Sequence, residues 1–389
     1  MFNIILLGLV SLLTDISSEM VYPLIPFYLV NRLGATPVVV GFIEGLAESL
    51  ASLLKVFSGY YSDKFQRRKP LAAFGYGFSG LSKILIIFAV SWPWVLWGRI
   101  GDRFGKGVRT APRDALIAES AEPEKMGWAF GLHRALDTLG AVIGVALAFY
   151  FITTYKGDYQ AVFIWALLPA FLGVLCLFLV REKVVKMRGE KQRLVLSWSA
   201  LNPRLKKFFI VVFLFALGNS SNQFLLLRAQ DLGYGASTVI LLYLVFNVVY
   251  TLAAFPAGVL SDRIGRRSLL VAGYIFYGLV YLGFAVVSNT AYLWWLFGLY
   301  GIYNAVTEGV EKALVAEIAP PDQKATLIGL HATLMGVGLL PASLIGGALW
   351  NYFGAGATFY FGGALGLLAA LGMMLVLSGG RDQKMECRS

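Results

Sequence analysis

Long apolar segments alternate with short polar breaks along the whole chain, and this alternation predicts the structure. Twelve such segments can be delimited, at 3–30, 38–61, 71–91, 93–118, 127–152, 160–180, 208–228, 236–260, 268–288, 291–316, 326–350 and 356–378. Each is long enough for a helix that crosses a hydrocarbon layer of about 30 Å, which takes about 20 residues. Backbone polar groups within a bilayer must be satisfied inside the segment, and a helix does this. The pattern predicts an all-α integral membrane protein with twelve transmembrane helices.

Composition strengthens this prediction and excludes a soluble enzyme. The chain has 389 residues, of which 58% are hydrophobic and only 14% are charged. Soluble domains carry about 25% charged residues. A soluble chain this apolar could not cover its own core with polar surface, so we expect the lipid bilayer to surround it and we expect no enzymatic activity.

Basic residues concentrate in alternate loops, which predicts the orientation. The formal net charge is +11. Because cytoplasmic loops of membrane proteins are enriched in Lys and Arg, this pattern indicates topology, and we expect no nucleic acid as partner. The predicted location is the plasma membrane, namely a bacterial inner membrane, with both termini cytoplasmic. The segment 181–207 is the most basic break; its basic residues are Arg181, Lys183, Lys186, Arg188, Lys191, Arg193, Arg204, Lys206 and Lys207.

The two halves of the chain repeat each other at an offset near 199 residues. Residues 59–68, GYYSDKFQRR, match residues 258–267, GVLSDRIGRR, and Gly131-Leu132-His133 matches Gly329-Leu330-His331. Such self-similarity indicates a duplicated structural unit. We predict two pseudo-symmetric bundles of six helices. The domains run over 1–180 for the N-terminal bundle, 181–207 for a cytoplasmic linker, 208–378 for the C-terminal bundle and 379–389 for a cytoplasmic tail.

The duplicated loop resembles the signature G-x-L-A-D-[RK]-x-G-R-[RK] of the major facilitator superfamily of secondary transporters. The resemblance covers nearly the whole chain and implies the major facilitator fold. It also implies a gate, in which the two loop aspartates cap helix ends of the opposite half. A carboxylate near helix N-termini is favoured by the free N–H groups there. The implied gating residues are Gly59, Asp63, Arg67, Arg68, Gly258, Asp262, Arg266 and Arg267.

Charged residues inside the first, second and fourth segments are candidates for proton coupling. A charge facing lipid costs several kcal/mol, so these residues must face protein or a water-filled cavity. A carboxylate without a basic partner at this depth can carry a proton. The alternative is a static carboxylate–arginine network that holds the first half together. The candidates are Asp15, Glu19, Glu44, Glu48, Arg99, Asp102 and Arg103.

The second half offers mainly amides and aromatic rings at the corresponding places. Such groups suit an organic substrate that is held by stacking and hydrogen bonds, although each tyrosine can equally be a packing residue. The candidates for substrate binding are Tyr22, Asn219, Asn222, Gln223, Tyr243, Asn247, Tyr300, Asn304 and Glu308.

Residue types that would indicate other chemistry are few. The two cysteines, Cys176 and Cys387, predict neither a disulfide framework nor a cysteine metal site. His133 and His331 occupy equivalent places in the two halves, and helix packing or gate hydrogen bonding is the favoured interpretation over metal binding. No phosphate-binding loop of the G-x-x-x-x-G-K-[ST] type occurs, so ATP is not the predicted energy source. We predict no cofactor.

The sequence therefore predicts a secondary active transporter that works by alternating access. A small organic solute is the expected cargo and protons are the expected coupling ion, with efflux by antiport favoured from the resemblance. We expect a monomer. Three alternatives remain: an organic anion or organophosphate exchanger that uses the Arg99/Arg103 face, a metal-ion exporter, and a non-transporting membrane sensor or scaffold.

Overall fold

The computed structural model describes residues 2–65, 68–121, 126–182, 201, 203–318 and 324–378. Within these ranges the chain is helical and contains no strand. Most of the linker 181–207 and the whole tail 379–389 lie outside the described residues. The domain boundaries drawn from the sequence stay a prediction.

The described helices follow the predicted apolar segments closely. In chain order they are α1 (Phe2–Val21, continued by short turns to Arg32), α2 (Pro37–Phe65), α3 (Arg68–Ile87), α4 (Trp92–Ser120), α5 (Met126–Thr154), α6 (Tyr159–Phe178), α7 (Pro203–Gly218 and Gln223–Asp231), α8 (Ala236–Ile264), α9 (Arg266–Val286), α10 (Tyr292–Ile318), α11 (Lys324–Phe353) and α12 (Ala355–Ser378). The first half below means α1–α6, and the second half means α7–α12.

Ten of the described helices are long and apolar enough to cross a membrane by length and composition. The two that fall short are α4, which carries buried charges at its centre, and α10, which is rich in tyrosine and tryptophan. Large apolar side chains such as Leu168, Leu252 and Leu375 are exposed on the outside of the described helices, as a lipid-facing surface requires. The predicted all-α membrane fold is confirmed.

One predicted segment is not a continuous helix. The helix α7 stops at Gly218 and resumes at Gln223, and the intervening residues 219–222 are Asn, Ser, Ser and Asn. Side chains of this type bond to nearby backbone and so compete with the helical hydrogen bonds. The residues on either side of 219–222 are mainly apolar, and for this reason the hydrophobic pattern predicted one continuous helix over 208–228.

The same helix pairs are in contact in both halves. In the first half α1 packs on α5 and α6, while α4 packs on α2 and α3, and α3 packs on α6. In the second half the equivalent helices do the same: α7 packs on α11 and α12, while α10 packs on α8 and α9, and α9 packs on α12. The packing therefore follows the internal repeat of the sequence.

The halves meet along two helix pairs, α2 with α11 and α5 with α8, which are related to each other by the repeat. Glycine permits the close approach of α2 and α11. A Cβ atom on Gly45 would lie 2.8 Å from Leu340 Cα, and one on Gly347 would lie 2.7 Å from Val38 Cα. Small residues at such contacts let helix backbones approach closely within a membrane.

Two ends of the bundle are distinguished below. The basic end holds the breaks near residues 65–68, 121–126, 182–203, 264–266 and 318–324. The opposite end holds the breaks near residues 33–36, 88–91, 155–158, 232–235, 287–291 and 354. Val38 and Gly347 belong to the opposite end, where Gln230 Nε2 also donates to Asn31 Oδ1 across the halves at 2.8 Å. The halves are thus joined at the opposite end.

Candidate functional site

The centre of the first half is a buried ion network around Arg99. The Nε and Nη2 atoms of Arg99 donate to Glu44 Oε1 and Oε2, both at 2.7 Å. Its Nη1 donates to Asp102 Oδ2 at 3.3 Å. All three side chains are almost completely buried. A two-pronged arginine–carboxylate pair of this kind is among the strongest and most directional in proteins.

Arg103 extends this network by one turn of α4. Its Nε lies 2.8 Å from Glu48 Oε1, and its Nη1 lies 3.9 Å from Asp102 Oδ2. Ser79 Oγ, from α3, donates to Asp102 Oδ1 at 2.5 Å. The network therefore joins α2, α3 and α4, and it contains five of the seven residues predicted for proton coupling.

Lys83 on α3 is a charged member of this region that sequence reasoning missed. Lys83 is buried, and its Nζ donates to the hydroxyls of Ser17 and Ser18 on α1. Its positive charge is attracted mainly by the carboxylate of Asp102. Arg99 and Arg103 form ion pairs with Glu44, Glu48 and Asp102, and Lys83 adds a further positive charge beside Asp102. The charges of the predicted Arg99/Arg103 face are thus compensated within the protein. The sequence did contain a signal for this role, because Lys83 is a single charged residue within the apolar segment 71–91.

Tyr22 connects the ion network to the second half. The Arg99 and Arg103 guanidinium carbons lie 5.5 and 6.0 Å from the centre of its ring. The centre of this ring also lies 5.8 Å from that of Tyr243 on α8. The Tyr243 hydroxyl donates to Glu19 Oε2 at 3.2 Å. A carboxylate predicted for coupling and a tyrosine predicted for substrate binding are therefore in contact across the halves.

A second polar link joins α1 and α5 to the second half. Asp15 on α1 and Asp137 on α5 are neighbours whose carboxyl groups interact. Asp137 Oδ2 accepts from Arg134 Nη1 at 3.5 Å, and Arg134 Nη2 donates to the Tyr250 hydroxyl at 3.0 Å. Tyr250 in turn donates to Glu308 Oε2 at 2.5 Å. Sequence reasoning identified Asp15 and Glu308 but missed Arg134 and Asp137, which lie beside the repeat match at His133.

The residues predicted for substrate binding occupy different environments. The Tyr300 hydroxyl donates to Asn222 Oδ1 at 2.8 Å, which connects α10 to the interruption of α7. The Gln223 side chain is completely buried, and neither of its amide atoms has a hydrogen-bond partner among the described residues. Asn219 and Asn304 are half-buried. Buried amides without partners are costly, so Gln223 is the most strongly indicated of these residues.

Two further candidates, Asn247 and Glu308, also have hydrogen-bond partners within the protein. Asn247 Nδ2 donates to the backbone oxygen of Tyr243 one turn earlier, at 2.8 Å. Glu308 accepts from Lys312 Nζ at 3.2 Å in addition to its bond with Tyr250. The structure therefore places Glu308 in the link between the halves.

An aromatic cluster that includes Tyr300 forms the core of the second half. Its members share ring contacts with centroid distances between 4.0 and 6.2 Å and are Phe215, Tyr274, Tyr277, Tyr281, Tyr300 and Tyr303. Most of these tyrosines are packing residues, because their side chains are almost completely buried. Tyr300 differs because its hydroxyl reaches Asn222.

The predicted gate loops lead into equivalent ion pairs in the two halves. Arg68 Nε lies 3.0 Å from Glu119 Oε1, and Arg266 Nη1 lies 3.0 Å from Glu317 Oε2. Both arginines begin their helices, α3 and α9, and both glutamates lie near the ends of α4 and α10. The structural equivalence of Arg68 with Arg266 corresponds to an offset of 198, one residue less than the offset of the preceding motif.

The second loop turns at Gly265, whose φ of +87° is a conformation that favours glycine. Gly258 accepts from Ser261 Oγ at 2.7 Å, and Arg267 Nη2 donates to the Met374 backbone oxygen at 3.0 Å. Arg67 lies outside the described residues, and the side chains of Asp63 and Asp262 and the surroundings of Gly59 are not among the described features. The gate stays a prediction.

The two histidines have different partners. His133 Nε2 lies 2.7 Å from Ser11 Oγ, whereas His331 Nε2 lies 3.1 Å from Glu311 Oε2. Within the described part of the chain, no three His, Cys, Asp or Glu side chains are grouped as metal ligands would be.

Two related sets of six helices, with charged and amide side chains where the sets meet, define a polytopic membrane transporter. A family model described as Major Facilitator Superfamily matches residues 7–227 and 208–386. The chain belongs to this superfamily, and it is a transporter rather than an enzyme.

Known proteins resemble the chain over nearly its full length. An uncharacterised MFS-type transporter of Methanocaldococcus jannaschii is 38% identical, with coverage of 96% of this chain and 94% of that protein. The multidrug resistance protein MdtH of Photorhabdus laumondii is 25% identical, with coverage of 92% and 86%. The crystal structure of the nucleoside transporter NupG matches with a TM-score of 0.81 at 14% identity, covering 97% of this chain and 100% of that one, and this likeness shows the fold alone.

Proposed function

We propose that this protein is a proton-coupled secondary transporter that moves a small organic solute by alternating access, with efflux by proton antiport favoured. The coupling is supported by the interaction between the carboxyl groups of Asp15 and Asp137, which lies beside the bond from Arg134 to Tyr250 of the second half. Two carboxylates in contact repel each other, so such a pair is favoured when it shares a proton. A residue pair of this kind can bind and release a proton during a cycle.

The position of this pair connects its proton to the movement of the halves. Asp137 bonds to Arg134, and Arg134 bonds to Tyr250 on α8. Loss of the shared proton adds a negative charge beside Arg134, which then competes with Tyr250 and Glu308 for the guanidinium. The proton therefore changes the free energy of the contact between α5 and the second half, as coupling requires.

The groups near the junction of the halves support an organic solute. Asn222, Gln223 and Tyr300 supply amide and hydroxyl groups, and Tyr22 and Tyr243 supply aromatic faces. The multidrug resistance protein among the relatives supports efflux of such compounds. The organic anion exchanger is less well supported, because Glu44, Glu48 and Asp102 compensate Arg99 and Arg103.

Solute-driven proton flux tests the proposal and separates it from the alternatives. A thermal-shift screen of the purified protein against drugs, nucleosides, sugars, phosphate esters and divalent metals first identifies a ligand, since binding raises the melting temperature. Proteoliposomes that contain a pH-sensitive dye then report proton movement when that compound is added. We expect an organic compound to bind and to drive proton flux. A phosphate ester or a metal as the sole ligand, or a bound compound that is never transported, would establish one of the alternatives.

Three variants test the coupling residues. Asp15→Asn, Asp137→Asn and Glu19→Gln should each abolish proton flux and still show the thermal shift with the ligand. Asp231→Asn is the matched control, because this carboxylate pairs with Arg228 and lies outside both polar links. Proton flux at the unmutated rate in both Asp15→Asn and Asp137→Asn would exclude the pair as the coupling site.

The gate and the topology belong to the same proposal. Asp63→Asn and Asp262→Asn should each slow transport while expression and melting temperature stay close to those of the unmutated protein, and unchanged rates in both would refute the gate.

In a variant without Cys176 and Cys387, a cysteine in place of Lys156 should react with an impermeant reagent added outside cells. A cysteine in the linker 181–207 should not, if both termini are cytoplasmic.

A further inference from the structure

A cavity of about 480 Å³ opens at the opposite end of the first half, in a part of the molecule that the transport proposal does not use. It lies between the last turn of α1 and the turn that joins α5 to α6. The Tyr28 hydroxyl donates to the Ala89 backbone oxygen at 2.8 Å. The Gln160 amide donates to the Ile87 backbone oxygen at 3.1 Å, so the end of α3 holds one wall of the cavity in place. The lining residues are Tyr28, Arg32, Lys156, Asp158, Tyr159 and Gln160.

Two cations in this lining lack a partner among the described residues. The bases that lie close to the breaks at the opposite end are Arg32, Lys156 and Arg228. Arg228 is occupied, because it bonds to Asp231 Oδ2 at 2.6 Å and to backbone oxygens at the end of α9. Arg32 and Lys156 have no ion pair or side-chain hydrogen bond within the part of the chain that the structure describes. An end that is poor in positive charge therefore places two unpaired cations around one cavity.

The carboxylate in the lining has a structural role. Asp158 Oδ1 accepts from the backbone N–H groups of Gln160 at 2.9 Å and Ala161 at 3.3 Å, so it caps the first turn of α6. With two cations and this one carboxylate, the lining carries one net positive charge. A phosphodiester carries one negative charge, and its oxygens accept from guanidinium and ammonium groups. The cavity therefore matches a phosphodiester both in charge and in hydrogen bonding.

The backbone of Lys156 supports a role for its side chain in binding. Among the described residues, Lys156 is the one non-glycine residue with a positive φ, which is +51°. It ends α5 at the position where glycine is usual: its N–H donates to the Thr153 oxygen at 3.2 Å, and the Gly157 N–H donates to the Ile152 oxygen at 2.8 Å. A lysine in this conformation is strained, whereas glycine is not. Strain of this kind concentrates at functional sites.

Aromatic side chains place the cavity at the level of the lipid headgroups. Tyr155 precedes the turn between α5 and α6 and is exposed, and its hydroxyl accepts from Trp165 Nε1 at 2.9 Å. Trp165 is also exposed and stacks on Phe151, with 5.3 Å between the ring centres. Exposed tryptophans occupy the first turns of α4 and α10 at the same end, at Trp94 and Trp295. Because Tyr and Trp are enriched where hydrocarbon meets headgroups, lipid phosphates lie at this level.

We propose that this cavity binds the phosphodiester group of a membrane phospholipid, and that Arg32 and Lys156 are the residues that hold it. The site is separate from the path of the transported solute and does not depend on the coupling ion. A lipid bound there connects the end of α1 to the turn between α5 and α6. Its expected effect is to stabilise the first half, in which α1 packs on α5 and α6.

Melting temperatures of the purified protein, freed of lipid in a nonionic detergent, test the ligand. Dioleoylphosphatidylglycerol should raise the melting temperature, because a bound ligand stabilises the folded state. Dioleoylglycerol has the same chains without the phosphate, and glycerol phosphate has the phosphate without the chains; at the same concentration neither should give that shift. The full shift with dioleoylglycerol would assign the effect to the chains. The full shift with glycerol phosphate would identify a free phosphate ester as the ligand, and either result would overturn the proposal.

Variants then locate the site. Arg32→Gln and Lys156→Gly should each lose most of the shift caused by the phospholipid. Lys207→Gln, which removes one exposed positive charge near the basic end, is the matched control and should keep that shift. Without lipid, Lys156→Gly should melt at the same temperature as the unmutated protein or higher, because glycine adopts the positive φ without strain. Full lipid shifts in Arg32→Gln and Lys156→Gly, or a loss of stability in lipid-free Lys156→Gly, would overturn the proposal.

Discussion

The two halves share their helix contacts but differ in the chemistry of their cores. In the first half, α2 and α4 are joined by a largely buried network in which Arg99 and Arg103 pair with Glu44, Glu48 and Asp102, and Ser79 connects this network to α3. In the second half, α7, α9 and α10 are joined by stacked aromatic rings, with Phe215 and Tyr274 only 4.0 Å apart. The same duplicated scaffold is thus stabilised once by ion pairs and once by rings.

This difference separates structural stability from function in the first half. The charges of the ion network around Arg99 pair mainly with one another, which fits the static interpretation, and the network approaches the second half through the Tyr22 ring. Glu19 and Arg134 bond directly to the other half, at Tyr243 and Tyr250, and Asp137 bonds to Arg134. The proposed assignment of coupling therefore rests on contact between the halves rather than on the presence of a charge within a span.

The largest expected effect is the loss of an ion partner in the first half. Glu44→Gln should destabilise the protein by about 3–5 kcal/mol, because it leaves Arg99 buried without its two-pronged partner. In the second half, Tyr277→Phe removes one bond, from the tyrosine hydroxyl to the Gly218 backbone oxygen at 2.8 Å, and should cost about 1 kcal/mol. Unfolding measured in detergent compares the two. Equal losses in stability would show that the two cores are held by forces of the same size.

The contact between the halves should be the next most sensitive. Gly45→Val places side-chain atoms against the backbone of α11 and should cost about 1–3 kcal/mol in the joined conformation, with a corresponding loss of transport rate. Gly77→Val on α3 is the control, since a Cβ atom there meets nothing within 4 Å. Similar melting temperatures and transport rates in both variants would show that α2 and α11 do not need this close approach.

Loss of a single hydrogen bond in the substrate region should affect binding more than stability. Asn222→Ala removes the acceptor of the Tyr300 hydroxyl and should weaken solute binding about fivefold, the equivalent of about 1 kcal/mol. Proton release on saturation with solute should remain, in contrast to Asp15→Asn. If Asn222→Ala loses proton release at saturating solute, the assignment of coupling to the first half and of solute binding to the second is wrong.

The smallest effect is expected at the equivalent ion pairs near the gate loops. Glu119→Gln and Glu317→Gln should each cost less than about 1 kcal/mol, because both pairs are partly solvated. Glu119 should be the more costly of the two, since its side chain is 23% exposed against 58% for Glu317. Melting temperatures at low and at high salt measure both effects, and a larger loss for Glu317→Gln would reverse this order.

The sequence by itself determined the fold class, the helix positions and the internal repeat, because these depend on local composition. Apolar segments of sufficient length have to be helical in a bilayer, and duplicated motifs at one offset imply duplicated packing. It also indicated that Arg99 and Arg103 need buried carboxylates, since an uncompensated charge in a span is costly. The alternative of a static network came from the same argument.

Only the tertiary structure decided which of these charges pair with each other and which reach the other half. Lys83 lies alone in an apolar segment and Asp137 lies one turn after Arg134, and nothing in their local sequence indicates that Asp137 interacts with Asp15 or that Lys83 lies near Asp102. His133 and His331 match in the repeat, yet one faces a serine and the other a glutamate. The ring contacts of Phe215, Tyr277 and Tyr300 were likewise decided by packing. The physical reason is that a side chain's charge is a local property, whereas its partner is set by helices that are far apart in the chain and meet only after folding.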